Sequence, residues 1–205
     1  PLKAAGLDYR IEISWSNHWQ KAIMHAAKKI GATRILIRAG KPKTSRRFAF
    51  TENKWKLFKR AFCPVILVRD GAAPARKVVL AAVNFQAVRD QQQQLNSNIL
   101  ARGQSLADNY GAEFHVVNAY LDSMLYPDRG RLAKETRLNS SNIHVVQGYT
   151  DEAIGKVAKD IGADVVVIGT LGQTGMVKTR RGNTAERVIS ALEVDVVVIN
   201  SEYKS

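Results

Sequence analysis

Short apolar runs, each bounded by polar or glycine-bearing stretches, recur along this chain. They fall at Tyr9–Ser14, Ile35–Ile37, Val65–Val68, Lys77–Val83, Glu113–Ala119, Asn142–Val146, Asp164–Ile168 and Val194–Ile199. Runs of this length and composition suit strands buried on both faces of a parallel sheet. Helical spacing separates several of them. Leu95, Ile99, Leu106 and Tyr110 recur at intervals of four and seven and stop at Gly111. Thr150 reads as the cap of a helix whose first turn holds Asp151 and Glu152, the favourable end of the dipole for acids, and which ends at Gly162. A further helix is expected near Asn183–Leu192, and Arg131–Leu138 gives only two turns. Strands alternating with helices imply right-handed crossovers and an α/β fold with a doubly wound parallel sheet.

Sliding the sequence against itself by 131 positions places Ala22–Val68 on Ala153–Ile199 without a gap. Ala27-Lys28-Lys29-Ile30-Gly31-Ala32 falls on Ala158-Lys159-Asp160-Ile161-Gly162-Ala163, and Val65-Ile66-Leu67-Val68 on Val196-Val197-Val198-Ile199. The chain therefore reads as two copies of one module, a partial first copy over 1–74 and a fuller second copy over 75–205. The first copy has counterparts only for the last three strands, beginning at Tyr9–Ser14. Three strands alone cannot close a core if the missing ones are central, so a longer protein is expected, with further residues expected near Asp128–Arg129, where Tyr120–Ser141 is short for a strand–helix–strand crossover. An intact mass near 22.7 kDa would contradict both expectations.

Composition narrows the class. Hydrophobic residues make up 45% and charged residues 24%, which excludes disorder, collagen-like repeats and low complexity as the main state. No apolar run approaches the ~18–20 residues of a membrane span, and Pro1–Gly6 reads as no secretory signal. Cys63, the single cysteine, permits neither a disulfide framework nor a Cys-rich zinc site, so a cytoplasmic protein is expected. The net charge of +13 is uneven: residues 1–75 carry +12 and residues 76–205 only +1. An even coat for DNA would be spread more widely.

Candidate chemistry concentrates after the fourth strand of the second copy. Gly169-Thr170-Leu171-Gly172 is followed, nine residues on, by Gly182-Asn183-Thr184. Gly169 and Gly172 permit tight turns and close approach of a ligand, while Gly182 and Asn183 precede a helix whose free N–H groups favour a phosphate. Asn183 with Glu186 also has capping-box spacing, and a well-capped surface loop would explain the same residues. At the equivalent positions of the first copy the three glycines are Arg38, Lys41 and Thr51. Arg38, Lys41, Arg46 and Arg47, with Phe48, Phe50 and Trp55 interleaved, form a candidate anion or single-stranded nucleic-acid patch; a solvated basic face over core aromatics accounts for them as well. His18, His25, His115 and His144 show no ligand spacing with one another, no G-x-S-x-G elbow exists, and Cys63 before Pro64 suits a buried structural thiol. No catalytic or metal-ligating residue is assigned. Gln91–Gln94 reads as the solvated start of a helix.

The pattern Gly-x2-Gly-x9-Gly, read with Gly182-Asn183-Thr184-Ala185-Glu186, Val83-Asn84 and Thr51-x3-Trp55, resembles the universal stress protein family, and in particular its tandem, two-module E type. The resemblance spans essentially the whole chain. It implies a Rossmann-like five-stranded sheet in the order 3-2-1-4-5, stress-responsive function, and binding of ATP or a related adenine nucleotide. Carried over, phosphate and ribose contacts fall on Gly169, Gly172, Gly182, Asn183 and Thr184, and the adenine side on Ala82, Asn84 and the backbone at Ala119. Mg²⁺ belongs to that expectation as an accompanying ion. Asn84 stands where the family's usual Asp would be and loses a metal ligand, which weakens metal-assisted hydrolysis most. Slow ATP hydrolysis, another phosphorylated or apolar ligand, or RNA on the basic first copy are the competing readings. The edge strands Val65–Val68 and Val196–Ile199 are expected to pair across a pseudo-twofold axis, one chain imitating a dimer, with a homodimer as a further expectation.

Overall fold

The computed structural model describes residues 3–39, 52–72, 74–171, 184–201 and 203. Along the chain run α1 (Trp19–Lys29), β1 (Ile35–Arg38), α2 (Glu52–Arg60), β2 (Val65–Val68), β3 (Val78–Val83), α3 (Asp90–Tyr110), β4 (Glu113–Tyr120), α4 (Arg129–Thr136), β5 (Ile143–Gln147), α5 (Thr150–Asp160), β6 (Val165–Thr170), α6 (Thr184–Ala191) and β7 (Asp195–Asn200). All seven strands join one sheet in the order β1-β2-β7-β6-β3-β4-β5. Every pairing is parallel except β2 with β7. Counted from β3 as the first, the five strands of residues 78–200 lie in the order 3-2-1-4-5.

Two-residue alternation along the strands divides the core into two layers. Leu80, Val117, Val166, Val196 and Val65 face α1, α2, α5 and α6, whereas Val79, Ala81, Val116, Val167 and Val197 face α3 and α4. Helix α3 lies so close to β6 that a Cβ on Gly169 would stand 2.7 Å from Leu95 Cγ and 2.8 Å from Ile99 Cδ1. The absence of a side chain at Gly169 is therefore a packing requirement.

The antiparallel junction joins the two halves through backbone and buried charge. Val65, Ile66 and Leu67 stand opposite Val198, Val197 and Val196. Beside them, buried Asp195 accepts from the Arg69 backbone N–H at 2.7 Å and pairs with the Arg76 guanidinium. The Arg69 guanidinium donates to the Ile189 carbonyl at 2.8 Å and the Leu192 carbonyl at 2.6 Å, satisfying acceptors at the C-terminal end of α6. Burial pushes the Arg69 pKa down, and the Asp195 and Glu193 carboxylates pull it back up. Asn200 adds a side-chain donation to the Ala61 carbonyl.

Three local expectations need correction. Tyr9–Ser14 is not a strand; it pairs with no described strand, and its alternating apolar residues face solvent, with Trp15 96% exposed. A strand needs a neighbour for its N–H and C=O groups, and no described strand lies beside this segment. Thr150 is the first residue of α5 and not its cap: Tyr149 holds that position without a side-chain bond. Tyr110 is 49% exposed, so the buried stripe of α3 rests on Leu95, Ile99 and Ala107.

Candidate functional site

A cleft of about 640 Å³ opens at the carboxyl ends of β3, β4 and β6, where Val83, Tyr120 and Thr170 line it. Strand order changes direction around β3, and open α/β sheets bind ligands at such a switch point. Three helices begin there. Arg89, the N-cap of α3, lines the cleft with Gln92; Thr150 opens α5; Thr184 and Ala185 open α6. The first turns of helices carry unpaired N–H groups and the positive end of the dipole, so the cleft favours an anion. Ile99, Ile154, Ile168 and Val188 supply its apolar wall.

Five of the residues singled out from sequence, Ala82, Asn84, Ala119, Gly169 and Thr184, line this one cleft. Gly172, Gly182 and Asn183 lie outside the described residues. Two of the five sit there with other duties. Gly169 admits Leu95 and Ile99 against the strand, so its lack of a side chain serves helix packing as well as the cleft. The Ala119 carbonyl already accepts from Gln86 Nε2 at 2.9 Å and Asn118 Nδ2 at 3.2 Å, which engages both of its lone pairs.

An amide network that sequence reasoning passes over shapes the loop between β3 and α3. Asn96 accepts from the Asn84 N–H at 3.1 Å and donates to the Asn84 carbonyl at 2.8 Å, as a neighbouring strand would. Asn118, fully buried, accepts from the Phe85 N–H at 2.8 Å and donates to Gln86 Oε1 at 3.0 Å. Gln92 Nε2 donates to Asn96 Oδ1 at 3.2 Å, so this glutamine faces the cleft instead of bulk solvent. The available signal was Asn118 itself, an isolated amide within the apolar run Val116–Ala119, because a buried amide must find partners.

The other candidates fall elsewhere. Arg38 is tied to Asp70 by bonds of 2.7 and 3.1 Å, which raise its pKa. Lys56 pairs with Glu52 at 2.7 Å, Lys54 Nζ donates to the Ala39 carbonyl, and half-buried Trp55 packs on the core. Lys41, Arg46, Arg47, Phe48 and Phe50 lie outside the described residues. Cys63 is buried, and burial pushes its thiol pKa up. The histidines need a correction: His115 Nδ1 and His144 Nε2 on adjacent strands stand 3.1 Å apart with stacked rings, and His115 Nε2 lies 3.3 Å from Glu113 Oε2. Their separation in sequence hid a contact made by strand pairing. Among the described residues no group of three His, Cys, Asp or Glu could hold a metal ion, and no helix is long and apolar enough to cross a membrane.

These features define an α/β protein with an open, mostly parallel sheet and a ligand-sized cleft at the carboxyl ends of its strands. Comparison with known proteins finds similarity to one family. Residues 125–200 match the model of the universal stress protein family. The chain is 32% identical over 178 residues to the universal stress protein E homolog of Haemophilus influenzae, covering 76% of this chain but 58% of that protein. It is 29% identical to universal stress protein E of Escherichia coli K12, covering 97% of this chain and 70% of the relative. A functionally unknown protein of Pseudomonas aeruginosa superposes with a TM-score of 0.80 at 26% identity, over 97% of this chain and 74% of that one. A universal stress protein from Archaeoglobus fulgidus shares the fold at a TM-score of 0.74 and 17% identity, over 97% and 71% of the two chains. The chain is thus similar to universal stress proteins of the E type along nearly its whole length, and its residues 125–200 match that family's model.

Proposed function

We propose that this chain is a stress-responsive binding protein that holds ATP or a related adenine nucleotide in the cleft of residues 75–205. The observation that carries the reading is the convergence of three helix N-termini and Arg89 on a cleft with an apolar wall. The N-termini and Arg89 suit phosphates, and the wall with the Asn84 and Gln92 amides suits a base. The glycine-bearing sequence after β6 supports the same assignment, with Gly172, Gly182, Asn183 and Thr184 on the phosphates. Residues 1–74 enter the reading as a partial copy of the same module, joined through β2 and β7, and not as a second nucleotide site.

Binding, not turnover, is the proposed activity. No described lining residue is a carboxylate, histidine or cysteine, the commonest general bases for hydrolysis. Calorimetric titration with ATP and Mg²⁺ at moderate salt tests the reading, alongside a Gln92→Trp variant that fills the cleft from a partly exposed position on α3. Micromolar binding in the parent chain and its loss in the variant, with thermal unfolding unchanged, is the expected result. Absence of heat from the folded parent chain would overturn it.

A further inference from the structure

Resting on the reading of the cleft as a nucleotide site, we propose that the nucleotide is bound as its metal-free anion, with Arg89 supplying the countercharge that a divalent cation commonly provides. Mg²⁺ is a hard cation held in nucleotide sites by one or two carboxylates together with the phosphates. The donor set here does not fit it. None of the described residues lining the cleft is Asp or Glu. The sequence between Leu171 and Thr184, both of which line it, contains no Asp or Glu either.

The carboxylates next to lining residues in sequence, Asp90, Asp122, Asp151 and Glu186, do not themselves line the cleft, and Asp122 accepts from the Met124 N–H. Asp151, one residue beyond the lining Thr150, is ion-paired to Arg187, and Asp90, next to Arg89, is exposed and does not line the cleft. Several neutral amide and carbonyl oxygens of the β3–α3 loop and its surroundings are engaged as well. Asn96 Oδ1 accepts from the Asn84 N–H and from Gln92, Asn118 Oδ1 from the Phe85 N–H, and the Ala119 carbonyl from two amides. A metal taking these amide oxygens would have to displace bonds that hold the β3–α3 loop in place.

Positive charge is available without a metal. Arg89 is an exposed lining residue at the start of a 21-residue helix, so its guanidinium adds to the dipole end of α3. A guanidinium offers a fork of N–H donors suited to phosphate oxygens. Neutralisation by protein cations also makes affinity fall with salt.

The test is calorimetric titration of the 205-residue chain with ATP in EDTA and again in excess Mg²⁺. The expected affinity in EDTA equals or exceeds that in Mg²⁺, and Arg89→Gln weakens metal-free binding about tenfold, the loss of one charge-assisted contact, and flattens its salt dependence. Thermal unfolding of the exposed variant should match the parent. Binding about tenfold weaker in EDTA than in Mg²⁺ would overturn the inference while leaving the nucleotide reading intact. An Arg89→Gln variant that binds metal-free ATP as the parent does would overturn the role of Arg89. No binding under either condition would sink the nucleotide reading and this inference with it.

Discussion

Ile66 on β2 and Val197 on β7 stand directly opposite each other across the antiparallel junction, and the same two residues are equivalent under the 131-residue shift that aligns the copies. A residue facing its own equivalent marks a local twofold axis, as at the interface of a symmetric dimer. The surrounding elements obey the same shift, since α1 and α5 begin at Trp19 and Thr150, 131 positions apart. The register of β2 against β7 is thus symmetric under that shift.

Val197 lies in the middle of this sheet, paired with Ile66 on one side and Val167 on the other. Proline there removes a donor and cannot fit a central strand, so Val197→Pro should cost more than the ~1 kcal/mol of a lost backbone hydrogen bond. Thermal unfolding measures it. An unchanged melting temperature would show that the junction contributes little to the folded state.

Asp195 concentrates the charge that fastens the halves together. Asp195→Ala would leave the Arg69 N–H and the Arg76 guanidinium without this carboxylate, in a place where Asp195 itself is 3% exposed. Breaking one side of a buried pair costs on the order of 3–5 kcal/mol. Urea unfolding should show a lower midpoint with the slope preserved.

Gly169→Ala separates packing from ligand contact. The added methyl would meet Leu95 and Ile99 at 2.7–2.8 Å, so α3 must move away from β6. Overpacking of this kind costs about 1–3 kcal/mol. The expected result is a loss of stability in the absence of any nucleotide; a variant as stable as the parent would remove the packing role given to this glycine.

Stability should also fall in mild acid through His144. Burial first, then His115 and Arg129, lower its pKa from the usual 6.5, against an opposing pull from Asp160. The fold therefore favours neutral imidazole. Below about pH 6.5 the unfolded chain takes up a proton that the folded chain resists, so this contribution is complete above that pH and is lost as the pH falls toward the lowered value. Denaturant titrations between about pH 7.5 and 5.5 should slope less steeply for His144→Gln than for the parent. Identical slopes would assign the acid sensitivity to other groups.

Much of the fold was legible because buried strands and amphipathic helices impose a periodicity that local sequence carries. Lys77–Val83 and Val194–Ile199 were readable as apolar runs and correspond to β3 and β7, while the self-match at 131 positions gave the expectation of a repeat. The site was legible in part. Asn84, Ala82 and Thr184 came as expectations from the family resemblance, whereas Asn96 and Asn118 act only because α3 and β4 bring them to the same loop. Arg89 was passed over for the same reason: nothing near it in sequence shows that its helix starts at a cleft.

The sequence by itself determined the α/β class and, Tyr9–Ser14 apart, the succession of strands and helices, because these are written in contacts between near neighbours. Tertiary structure alone decided what those residues meet. It left Tyr9–Ser14 without a strand partner, set His115 beside His144, enclosed Asp195 between two arginines and pressed α3 onto Gly169. Such pairings depend on the register and distance between elements far apart in the chain, and the folded sheet fixes these only when all its strands are in place.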